Sequence, residues 1–93
     1  MSDEIKDVEL FDMADQFIAV ANRLVQENGE SLGLVSAAFR YAAARFSAHE
    51  ASHKSKNLVE DKEKALAWFT EQYKDMLSKN LDQHIEHKRN QIK

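Results

Sequence analysis

The sequence predicts an all-α protein, an antiparallel bundle of three main helices. Three observations carry that reading. Apolar residues recur at helical spacing nearly throughout. The 93 residues contain no proline and only two glycines, too few for the turns of an all-β domain. The two polar interruptions, around Asn28-Gly29 and across residues 52–57, are short, and short connections between helices make antiparallel neighbours.

The first helix is expected from about Val8 to Gln26, with Asp7 as its N-cap. Its stripe is Leu10, Ala14, Phe17, Ala21, Leu24 and Asn28, widened by Met13, Ile18 and Val25. Asn28-Gly29 stops it, because glycine adopts the left-handed conformation at a helix C-terminus without a Cβ penalty.

Ser31 is the expected cap of a second helix, from about Leu32 to Ser52. Its stripe is Val35, Ala38, Phe39, Ala42, Phe46 and His49, and a second row runs through Leu34, Ala37, Tyr41, Ala44 and Ala48. Seven alanines fall between residues 37 and 51, and small residues bring helix axes close together. This is the predicted central helix, with neighbours on more than one side.

Asn57 and Glu60 have the spacing of a capping box for a third helix, striped by Ala65, Leu66, Phe69, Tyr73, Met76 and Leu77. Simple antiparallel register sets Ala42 against Phe69, Phe46 against Ala65 and Val35 against Met76. The aromatic and methionine rows, Phe11 and Phe17 included, are expected in the core. Continuous to Lys88, helix three would be about 46 Å long against about 32 Å for helix two. It would overhang its partner from Ser78 onwards while Leu81, Ile85 and Ile92 keep a weak apolar row. The reading favoured here is a break or bend near Asn80, giving a short fourth C-terminal helix that helps an oligomer form.

The whole chain, 1–93, reads as a single helical domain, with residues 1–7 and 89–93 as flexible ends. No apolar run exceeds five residues, the length of Phe17 to Ala21, far short of a membrane span. The acidic start lacks the charge pattern of a signal peptide, so a cytoplasmic location is expected. Without cysteine, disulfides, thiolate metal sites and cysteine catalysis are excluded.

Net charge is −3, unevenly spread: eight acids against two bases in residues 1–30, then four bases against one acid in residues 31–57. The pattern reads as complementarity between neighbouring helices. No helix carries the basic stripe that nucleic acid needs, and the acidic polar face of the first helix argues against membrane-surface binding.

Few residues suggest chemistry. Arg45, inside YAAARF, is expected near Asp12 and Asp15 in a partly covered ion pair, and the three are candidates for a partner or anion contact. His49 and His53 lie four apart, and His84 and His87 three apart, spacings that set two imidazoles on one helix face. They are weak metal candidates, since one hairpin places the pairs at opposite ends. No nucleophile, acid and base share a suggestive spacing, and no glycine-rich phosphate loop exists. The chain is read as non-enzymatic and without a cofactor. It is expected to associate with itself or with a protein partner, with metal- or small-ligand binding through the paired histidines as the alternative.

Three strings add a resemblance: FDMADQFIAVAN (11–22), VSAAFRYAAARF (35–46) and WFTEQYKDMLSKNLDQHIEH (68–87). Over about residues 10–87 the chain resembles the family of small bacterial proteins known as domain of unknown function 3144. The resemblance implies a compact, all-helical bacterial protein, and it implies no reaction, ligand or catalytic residue.

Overall fold

A computed structural model describes residues 7–29 and 31–91. These form three helices and no strand: α1 (Asp7–Asn28), α2 (Leu32–Lys54) and α3 (Leu58–Gln91). At 1.5 Å per residue they are about 33, 35 and 51 Å long.

The ends follow local chemistry. Asp7 and Glu9 in the first turn of α1 face the positive end of its dipole. Gly29 stops the helix at φ 65°, and is the one described residue with positive φ. Ser31 caps α2, its Oγ accepting from Leu34 N at 3.0 Å while its carbonyl accepts from Val35 N at 3.1 Å. Asn57 caps α3, its Oδ1 accepting from Glu60 N at 3.3 Å. The returning half of the expected capping box is supplied differently: Asn57 N donates to Ser55 Oγ at 3.1 Å.

The expected break at Asn80 does not occur. α3 is one helix through that position, and Asn80 Nδ2 donates to the Met76 carbonyl one turn back at 2.8 Å. The amide is thereby satisfied inside the helix, and Lys79–Asp75 at 3.0 Å and Arg89–Glu86 at 3.3 Å support the same stretch. No fourth helix forms among the described residues. Of the expected flexible ends, residues 1–6, 92 and 93 lie outside the described residues, and 89–91 belong to the last turn of α3.

The chain divides into two units, one ending at Phe46 and the other starting at Ser47, with α2 contributing to both. In the first unit Val35 is buried, at 8% exposure, and Ala14, Ala21, Val25 and Phe39 are partly covered. In the second, Ser47, Glu50, Ala51, Ser55, Asp61, Ala65, Phe69 and Gln72 are partly covered and none is buried.

The expected core rows therefore need correction. Phe39 and Phe69 are partly covered, but Phe11, Phe17, Phe46, Trp68, Tyr73 and Met76 are exposed, and so is Ala42. The apolar stripes were wide enough to offer several faces. The covered faces mix the small Ala14, Ala21, Ser47, Ala51, Ser55 and Ala65, which allow close helix approach, with larger residues such as Val25, Phe39 and Phe69.

Candidate functional site

On α1 the apolar residues fall into adjacent rows. Phe11, Ala14, Ile18, Ala21, Val25 and Asn28 form one, with alternating spacings of three and four; its Ala14, Ala21 and Val25 are the partly covered residues of the helix. Leu10, Met13, Phe17, Val20 and Leu24 form another with the same alternation. Every member is exposed, from 37% at Leu24 to 63% at Phe17. This outer row has the spacing of a coiled-coil seam over four turns. The same spacing is readable in the sequence, but the expected stripe merged Leu10, Phe17 and Leu24 with the alanines that are covered instead.

Arg45, Asp12 and Asp15 are all exposed, and no ion pair joins Arg45 to either acid among the described residues. Nearby, Arg40 Nη1 donates to Ser36 Oγ at 2.8 Å along α2. The three candidate residues thus remain surface groups, without the two-point guanidinium–carboxylate contact expected of them.

In the second unit, the end of α2 and the start of α3 border a shallow hollow of about 400 Å³. Ala51, Leu58, Ala65, Trp68 and Phe69 supply its apolar surface, with the Trp68 and Phe69 rings edge to face at 4.9 Å. Glu50, Lys54, Asp61 and Lys64 give it charges of both signs, and Lys54 Nζ meets Glu50 Oε2 at 2.9 Å. Mixed charge on an open apolar depression provides no set of convergent donors for one ligand.

The residue that organises this corner is Ser55, whose role its place in the polar connection does not signal. Its hydroxyl donates to Asp61 Oδ2 at 2.7 Å and accepts from Asn57 N, while its own N–H donates to the Ala51 carbonyl at 2.9 Å. The side chain joins the end of α2 to the first turn of α3, and its oxygen is committed to the turn. Ser55→Ala removes both side-chain bonds and leaves Asp61 without its donor. We expect a loss of about 1–3 kcal/mol, measured by urea unfolding followed by circular dichroism. Unchanged stability would show that the bond is equally well made by water.

The histidines remain pairs. The His49 and His53 rings lie 6.4 Å apart, centre to centre, tilted by 32°. His87 shares a 3.1 Å contact with Gln91, one turn further on. No three histidine, aspartate or glutamate side chains converge as a metal-binding group among the described residues. No described helix is long and apolar enough to cross a membrane.

Residues 10–85 match the family described as a protein of unknown function, DUF3144. The chain belongs to that family. No curated protein and no solved structure matches it. Membership in DUF3144 brings no reaction or ligand with it, so the functional argument rests on the surfaces of the helices.

Proposed function

We propose that this DUF3144 protein is a non-enzymatic helical interaction module of the cytoplasm, working by association with a second copy of itself or with a protein partner. The observation that carries the reading is the placement of its large apolar side chains. Val35 is the one buried hydrophobic residue described, while residues such as Phe11, Phe17, Leu34, Leu66, Trp68 and Leu81 stand 53–63% exposed. Scattered exposed apolar residues are ordinary on any protein, but whole helical rows of them mark contact surfaces. Helices this poorly covered gain little from burial, and an isolated helix is marginal in water, so a partner surface would contribute to their stability.

Sedimentation equilibrium of the full chain over a wide concentration range tests this. For self-association we expect a mass above 10.7 kDa that rises with concentration. A mass of 10.7 kDa at every concentration would remove self-association and leave a different protein as the partner.

A further inference from the structure

We propose that the outer row of α1 pairs with the same row of a second copy, antiparallel, about a two-fold axis near residues 15 and 16. The inference rests on the interaction-module reading and names its partner and surface.

Two exposed apolar rows compete for this role. On the second half of α3, Tyr73, Leu77, Leu81 and Ile85 recur strictly every four residues. At 100° per residue that row turns by about 120° between its first and last members, so it does not present one straight seam. On α1, Leu10, Met13, Phe17, Val20 and Leu24 alternate three and four, which drifts by only about 20° per seven residues. A slight supercoil keeps such a row facing a partner helix.

The charges beside the row select the partner and its direction. Arg23 follows Gln16 by seven residues, and Glu9 precedes it by seven, so the three lie along the same edge of the seam. In an antiparallel pair that sets Leu10 against Val20 and Met13 against Phe17 of the second copy, this edge meets its own copy reversed. Glu9 then faces Arg23 of the partner at both ends, and Gln16 faces Gln16 in the middle. The opposite edge carries Ala14 and Ala21, which are already partly covered within the chain, so the charged edge is the one left to choose the direction. A parallel pair gains none of this: Glu9 would face Ala14 and Gln16 would face Ala21, while acidic ends with Asp7, Glu9, Asp12 and Asp15 would lie side by side. The one basic side chain of α1, Arg23, is exposed, and among the described residues its ion-pair contact is a long 4.0 Å one with Glu27 in its own helix. Leu10, Met13, Phe17 and Val20 of each copy pair in this register and Leu24 lies beyond the last pair; covering them removes at most about 1,000 Å² of surface, about the smallest area at which specific interfaces form. A reversible dimer of modest affinity is the expected product.

Charge reversal tests the pairing on the full chain. Glu9→Arg and Arg23→Glu each set like charges together at both ends, and we expect each to weaken dimerisation at least tenfold by sedimentation. Two combinations should restore it: an equimolar mixture of the two variants, and the double variant carrying both changes. Circular dichroism of each variant guards against a folding defect, and recovery in the mixture cannot arise from one. A wild-type dimer that neither single reversal weakens, or that neither combination restores, overturns this interface while leaving self-association standing. A monomeric wild type overturns both, and assigns the α1 row to another segment of the chain or to another protein.

Direction is read separately, from spin labels on Asp15 and Gln26, both off the seam. Antiparallel pairing places the Asp15 labels near the axis and separates the Gln26 labels by about 33 Å along it. Equal distances for the two positions would overturn the antiparallel arrangement.

Discussion

Val35→Asp is expected to abolish the cooperative thermal unfolding transition and much of the helical signal of the first unit. Val35 lies in the first turn of α2, its N–H bonded to the capping Ser31, and is the one described side chain withdrawn from water. Phe39, one turn further on, is only partly covered, as are Ala14, Ala21 and Val25 on α1. The unit has little other burial to absorb a loss. A carboxylate at Val35 must either be desolvated or push the helices apart, a penalty of about 3 kcal/mol or more. Val35→Leu adds one methylene without introducing charge, and should cost less, about 1–3 kcal/mol. Circular dichroism during heating separates the two. A Val35→Asp protein that melts like the wild type would show that this position carries no packing role in solution.

The helices themselves were legible because their signals are local. Gly29 needs only its own positive φ to stop α1, and Ser31 and Asn57 need only reach an N–H three residues ahead. The expected ends of α1 and α2 fall within two residues of those observed. The covered faces were less legible, because apolarity is a poor guide to them here. On α1 the expected stripe contained both Phe17 and Ala14, and only the alanine is partly covered. On α2 the expected Phe46 gives way to Ser47 and Ala51, whose small size suits a close neighbour and whose hydropathy does not announce it. Ser55 is hard to single out for a related reason: a serine in a polar connection is ordinary until Asp61, six residues on, receives its hydrogen. The stretch around Asn80 misled in the opposite direction. The break was expected because helix three overhangs its partner there, but a helix needs no partner to continue, and the Asn80 amide donates to the carbonyl four residues back, at Met76. For the candidate site, spacing set His49 and His53 on one face, where their rings lie 6.4 Å apart, but no third ligand joins them among the described residues. The Arg45–Asp12/Asp15 expectation shows the same limit: register arithmetic can bring charges into a neighbourhood without specifying a two-point contact.

Phe17→Asp is expected to abolish self-association while preserving α1 as a helix. Phe17 is 63% exposed in the described structure, so its replacement removes little intrachain packing. In the proposed antiparallel pair, by contrast, it meets Met13 near the two-fold axis, where symmetry introduces the carboxylate twice. Both copies would have to desolvate a negative charge within an already acidic helix, and an interface of about 1,000 Å² has little surplus affinity to offset that. We expect dimerisation to weaken at least 100-fold by sedimentation, with the circular dichroism spectrum retained. Tyr41→Asp, at a 70% exposed position on α2 outside this row, is the control and should leave the mass unchanged. If Phe17→Asp leaves the wild-type dimer intact, the seam is elsewhere. If it instead unfolds a monomeric chain, Phe17 is covered from within. The two readouts distinguish a side chain that holds copies together from one that holds the fold together.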